Sequence, residues 1–228
     1  MRMRVQFAKE GLLRFLSHLD VQRTLMRAFR RAGLPVAYTQ GFNPHPRISF
    51  GSVLATGASS EAEFFDLDLA ERMDPDQFVA ALNRVLPQGL RVVAAREVPE
   101  GRQSLMSLLN AAKYRLTLEL GSVDPQALRR AVDAFLQRET VTMQREGKKG
   151  SAAVDVRRQV YDVIVEGTNT LLATLQAGPE GSLRPADLLA ALKQVAPELE
   201  PVRLVQVHRV AALRRDPATG RFQLPWDL

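Results

Sequence analysis

The sequence predicts an α+β protein built as two tandem ferredoxin-like (βαββαβ) sandwiches, and three observations carry that prediction. A chain of 228 residues exceeds one compact domain and is short for three. Its 46% hydrophobic and 25% charged residues are ordinary for a globular protein and supply apolar side chains for a core in each half. The strand and helix signals run through one cycle by residue 98 and repeat after residue 112, in the order of the split βαβ motif.

In residues 1–98, Arg2 to Ala8 alternates polar and apolar positions, the period of a half-buried strand. Ser17-His-Leu-Asp20 places an N-cap hydroxyl three residues before a carboxylate, so a helix starts there. Val21, Leu25, Phe29 and Ala32 form its apolar stripe, and Gly33 before Leu34-Pro35 ends it. Short strands at Val36–Thr39 and Ile48–Phe50 enclose an irregular loop. Glu63–Leu69 reads as a strand, Asp74-Pro75 as a helix start with proline at its first position, and Leu90–Val98 as another strand.

Residues 99–112 are punctuated by Pro99, Gly101 and Asn110 and read as a linker with a short helical turn. The second cycle spans 113–214. It has strands at Tyr114–Leu120, Thr140–Arg145, Tyr161–Glu166 and Leu171–Gln176, helices from Asp124 to about Arg138 and from Arg184, and a long strand at Val202–Leu213. The halves share this order without visible sequence similarity. His208 falls in the last strand and reads as structural. Residues 215–228 form a tail whose Trp226 docks either on the body of the protein or on a partner.

Charge is distributed unevenly. The chain carries +6, with a pI of about 10.1, yet residues 1–50 hold +7 and the rest −1. A local basic surface suits an anionic partner. Arginine outnumbers lysine 26 to 5, as phosphate forks favour and as a GC-rich coding bias also produces. Cysteine is absent, which excludes disulfides, thiolate metal sites and cysteine nucleophiles. No segment has the run of roughly 20 apolar residues that spans a bilayer, and the start lacks a signal peptide's apolar core, so the expected location is cytoplasmic, with no membrane partner.

On a helical wheel, Arg23, Arg27, Arg30 and Arg31 lie opposite the apolar stripe of the first helix. Asp20 can answer only one or two of them, so their repulsion favours an anion; the alternative is a solvated basic face without a ligand. The following segment, Gln40-Gly-Phe-Asn-Pro-His-Pro-Arg-Ile-Ser-Phe50, is poor material for regular structure and good material for a stiff polar loop. Tyr38, Phe42 or Phe50 are candidates to stack on a base, Arg47 to hold a phosphate and Asn43 to read a base edge; the alternative places both phenylalanines in the core. The candidate RNA-binding set is therefore Arg14, Arg23, Arg27, Arg30, Arg31, Tyr38, Phe42, Asn43 and Arg47. His18 and His45 are candidates for acid–base chemistry, or with Asp20 for a metal, against a packing role for a histidine behind an N-cap serine. No cofactor is expected. A second basic patch, Arg145, Lys148, Lys149, Arg157 and Arg158, surrounds a glycine-containing hairpin tip that lacks P-loop spacing.

The runs Phe7-Ala-Lys-Glu-Gly11, Arg14-Phe-Leu-Ser-His-Leu-Asp20, Arg27-Ala-Phe-Arg-Arg-Ala-Gly-Leu-Pro35 and Tyr38-Thr-Gln-Gly-Phe-Asn-Pro-His-Pro-Arg-Ile-Ser-Phe50 resemble the bacterial radical-SAM-linked family. The likeness is close over residues 4–66 and looser afterwards. It implies a free-standing protein or a C-terminal part of a radical SAM protein, often encoded beside a ribonuclease and ribosomal-protein genes. Lacking cysteine, this chain cannot hold the three-cysteine cluster itself. The functional expectation is an RNA-binding accessory protein in RNA modification or processing, with rRNA or tRNA as the RNA and a radical SAM protein as partner. Two alternatives are a protein-interaction or substrate-presenting subunit that does not touch RNA, and a metal-independent endoribonuclease.

Overall fold

The computed structural model of the chain describes residues 1–99, 103–147 and 150–228. They form a mixed α and β protein that divides into two compact units, Met1–Asn110 with Arg209–Leu228, and Ala111–His208.

The first unit opens with β1 (Arg2–Lys9), a 3-10 turn (Gly11–Phe15) and α1 (His18–Arg31), followed by β2 (Ile48–Phe50), β3 (Ser59–Asp68), α2 (Pro75–Asn83), β4 (Leu90–Val98) and α3 (Leu105–Leu108). The order β4, β1, β3, β2 is antiparallel throughout. Alternation along β1 turns Met3, Val5 and Phe7 to one face, where with Phe65 and Leu67 of β3 they meet Val21, Leu25 and Phe29 of α1 and Phe78 and Leu82 of α2. Burying each such side chain contributes about 1.5–3 kcal/mol, enough to hold both helices on this face. The Ser17 hydroxyl accepts from the Asp20 amide to start α1, and Gly33, with φ +64°, lets the chain turn away after it.

The second unit runs β5 (Ala111–Glu119), α4 (Pro125–Leu136), β6 (Thr142–Gly147), β7 (Gly150–Asp155), α5 (Val156–Gln159), β8 (Val160–Glu166), β9 (Thr170–Gly178), β10 (Gly181–Ser182), α6 (Pro185–Val195) and the first half of β11 (Arg203–Arg215). β9 is central, antiparallel to β5 and to β8, while β6 and β7 form a separate hairpin. Leu116, Leu128, Phe135, Leu171, Leu175, Leu188 and Leu192 are fully buried in its core.

β11 leaves the second unit after His208, and the residues that follow return to the first, which has β12 (Phe222–Gln223) and a final 3-10 turn (Pro225–Asp227). Residues 209–228 group with the first compact unit. Trp226 stacks edge-on against Phe64 at 5.1 Å, and the Arg96 guanidinium lies 4.9 Å over its ring. This resolves the choice for Trp226 in favour of the body. Beneath the turn, Arg4 is 0% exposed: Nε and Nη2 donate to Asp66 at 2.9 and 3.1 Å, and Nη1 donates to the Pro225 carbonyl at 2.6 Å. The β1–β3 register places Arg4 directly opposite Asp66, and Arg2 opposite Asp68.

The expected strand at Val36–Thr39 does not form. Two isolated bridges, Val36 to Leu69 and Tyr38 to Pro46, replace it, since Pro46 offers no N–H to extend a ladder. The 3-10 turn at Gly11–Phe15 and the strand β7 lie outside the expected elements. β3 begins at Ser59, four residues before the expected start.

Candidate functional site

Helical periodicity divides α1 into two faces. Val21, Leu25, Ala28 and Phe29 are buried, whereas Arg23, Arg27, Arg30 and Arg31 are exposed. Arg23 reaches Asp20 at 3.6 Å, and Arg31 Nη2 donates to the Val85 carbonyl at 2.7 Å. Arg27 and Arg30 form no ion pair among the described residues. The Ser17 hydroxyl, aided by Arg23 and Arg27, holds the Asp20 carboxyl below the usual carboxylate range, so Asp20 stays charged and still offsets only part of this face. Arg27, Arg30 and Arg31 converge on a groove of about 490 Å³, lined also by Thr24, Leu13, Leu16 and Pro87.

The wall carrying Leu13 and Leu16 is built from the 3-10 turn. Buried Lys9 donates from Nζ to the carbonyls of Arg14 at 3.1 Å and Leu16 at 3.2 Å, and the Gly57 amide donates to the Arg14 carbonyl. The Glu10 amide bonds the Gly89 carbonyl at 2.8 Å. The Arg14 guanidinium lies 4.8 Å over the Phe15 ring. Leu12, Phe15 and Leu19 are exposed at 84%, 56% and 60%.

The loop between Tyr38 and Phe50 is pinned at its base: the Thr39 amide donates to the His45 carbonyl, the His45 amide to the Thr39 hydroxyl, and the Arg47 amide to the Ala37 carbonyl. Its tip is open, with Phe42 fully exposed and Asn43 and Tyr38 exposed. Phe50 is core, so it is no stacking surface. Arg47 is already engaged, its Nη2 lying 3.1 Å from Asp68, whose carboxyl Arg2 holds below the usual range with help from Arg47. Among the cavities of the described residues, Arg27, Arg30 and Arg31 share one and Arg47 lines another with Arg2, Asp66 and Asp68. The expected site residues thus fall into a helix set and a loop set.

His18 packs edge-on to Phe50 at 5.2 Å, with Nε2 2.8 Å from the Gln22 amide nitrogen. Partial burial lowers its proton affinity, with Lys9 adding to that effect and Glu63 opposing it. His45 lies in the exposed loop. Among the described residues, no three His, Asp or Glu side chains are grouped to hold a metal ion. In the second basic patch, Arg145 pairs with Asp187 at 3.6 Å, Arg158 with Asp155 at 3.2 Å, and Arg157 donates to the Val160 and Leu136 carbonyls. Lys148 and Lys149 lie outside the described residues.

One polar cluster had no local sequence signal. Arg209 Nη1 donates to both oxygens of buried Glu63, at 2.9 and 3.2 Å, and to Ser52, while Nη2 donates to the Val53 carbonyl. Arg209 is 146 residues from its carboxylate, beyond any local pattern.

The family model of an uncharacterized protein conserved in bacteria, DUF2344, matches residues 2–185. The chain belongs to that family. The matched span takes in the whole arginine face and loop of this DUF2344 protein and stops at the first residue of α6. No curated protein matches the chain. Among solved structures it is similar to a chain of a Cbf5–Nop10–Gar1 complex, at 10% identity and a TM-score of 0.46 over 91% of this chain and 47% of that one. It is also similar to a chain of the archaeal box H/ACA sRNP Nop10–Cbf5 complex, at 10% identity and a TM-score of 0.43 over 91% and 46%. The chain spans about half the length of these structural neighbours. No helix among the described residues is long and apolar enough to cross a membrane.

Proposed function

We propose that this protein binds RNA through the exposed face of α1, as an accessory factor in RNA modification or processing. The observation that carries the proposal is the convergence of Arg27, Arg30 and Arg31 on one groove, none of them in an ion pair among the described residues and Arg31 alone hydrogen-bonded to a backbone carbonyl. The helix macrodipole accounts for arginine in the last turn, at Arg30 and Arg31. It does not account for Arg23 and Arg27, which lie nearer the middle. Guanidinium forks at such spacing match successive phosphates. Exposed Tyr38, Phe42 and Asn43 are available for base contacts, whereas Arg47 must first give up Asp68.

The antiparallel order β4, β1, β3, β2, with α1 and α2 on one face, supports a ferredoxin-like reading of the first unit, and β5, β9 and β8 with α4 and α6 support the same reading of the second. Partnership with a radical SAM protein rests on the sequence resemblance alone, and rRNA or tRNA is the proposed target class.

The test is the affinity of the full chain for a structured RNA as a function of salt. Arg27→Ala with Arg30→Ala is expected to weaken binding at low salt and to lower the slope of log K against log salt by roughly 1.4–1.8, two phosphate contacts' worth. Absence of binding at low salt, or an unchanged slope in the double variant, refutes the proposal.

A further inference from the structure

We propose that the 3-10 turn beside the arginine groove is a seat for unpaired nucleobases, so that the site takes single-stranded rather than duplex RNA; this rests on the RNA-binding reading above. Leu12, Phe15 and Leu19 are three large apolar side chains exposed within eight positions. Leu12 and Phe15 are interleaved in the 3-10 turn with Leu13 and Leu16, which line the groove, and Leu19 lies one helical turn before Arg23 and two before Arg27, on the same stripe of α1. Exposed apolar side chains therefore stand on the segment that walls the arginine groove, the pairing of groups that a strand with splayed bases uses.

Phe15 and Arg14 pair as a shelf, the guanidinium carbon 4.8 Å from the ring centroid. Bases stack on aromatic faces and on guanidinium planes alike. The backbone that carries the shelf is held before any ligand arrives, since Lys9 clamps the carbonyls of Arg14 and Leu16, and Gly57 bonds the former. A rigid seat avoids the ordering cost that a mobile loop would incur on binding. An A-form duplex keeps its bases stacked inside and offers this shelf nothing, so the apolar groups discriminate for unpaired RNA while the arginines attract both forms.

The experiment measures binding of the full chain to poly(A) and to its duplex with poly(U) across a salt series. The single strand is expected to bind more tightly. Phe15→Ala is expected to lose about fivefold or more of that affinity with the salt slope unchanged, and Phe15→Trp to restore it. Leu12→Ser, at the most exposed of the three positions, provides a second variant, with Trp226 fluorescence confirming an intact fold. Equal affinity for the duplex, or Phe15→Ala within twofold of the parent on the single strand, overturns the seat. The RNA-binding reading survives that outcome if Arg27→Ala with Arg30→Ala still weakens both ligands. If neither nucleic acid binds, both fall, and the apolar surface belongs to a protein contact instead.

Discussion

Replacing Arg4 with methionine tests the tertiary account of the first unit most sharply. Arg4 and Asp66 are both buried, and three of the guanidinium's N–H groups are spent, two on the carboxylate and one on the Pro225 carbonyl. Arg4→Met keeps the aliphatic stem in place between the strands but leaves Asp66 as a buried charge without a counter-ion and the Pro225 carbonyl without its donor. Removing one partner of a buried pair costs about 3–5 kcal/mol, whereas replacing both with apolar groups of similar volume is near neutral. Arg4→Met with Asp66→Leu should therefore recover most of the loss, with a coupling energy of roughly 2 kcal/mol or more. Urea unfolding followed by the fluorescence of Trp226, the sole tryptophan, reports on this unit because that ring rests on Phe64. Far-UV circular dichroism separates release of the C-terminal turn alone from unfolding of the sheet. A loss below about 1 kcal/mol in the single variant, or additive effects in the double variant, would refute the reasoning.

Two further outcomes follow from the same geometry. Gly89 has φ +96°, and a Cβ there would lie 2.8 Å from the Glu10 carbonyl oxygen, so Gly89→Ala should destabilise by about 1 kcal/mol or more, and an unchanged urea midpoint contradicts the contact. Burial lowers the proton affinity of His18, so the folded chain binds fewer protons there than the unfolded one. Its contribution to stability is then complete above the ordinary histidine value of 6.5 and declines as the pH falls through the lowered folded value; an NMR titration of His18 with a midpoint at or above 6.5 counts against it.

Much of the helix half of the candidate site was legible in the sequence. A hydroxyl at Ser17, apolar residues three and four apart, arginines between them and a glycine at the end are all local signals, and the structure places α1 within a residue or two of where they fall. The loop half was legible only as a loop. Nothing local to Arg47 says that Asp68 occupies it, and nothing in Phe42 and Phe50 distinguishes the exposed ring from the buried one. The 3-10 turn went unread because a five-residue segment has no periodicity to detect, and Leu12 and Phe15 resemble core residues in any composition-based reading.

The sequence by itself therefore determined the longer strands and helices, which face of α1 is basic and where charge accumulates, because these depend on spacings of two to four residues along one chain. Tertiary structure alone decided that Val36–Thr39 stops at two bridges, that Arg4 is buried under Pro225, that the C-terminal residues return to the first unit, and that Lys9 clamps the turn beside the groove. Each of these depends on strand register or on contacts between residues far apart in the chain, where the energy of a pairing is set by what else is excluded from water around it. The face of α1 that the sequence marks as basic thus becomes a groove only when residues 11–16 and 85–89 are brought beside it.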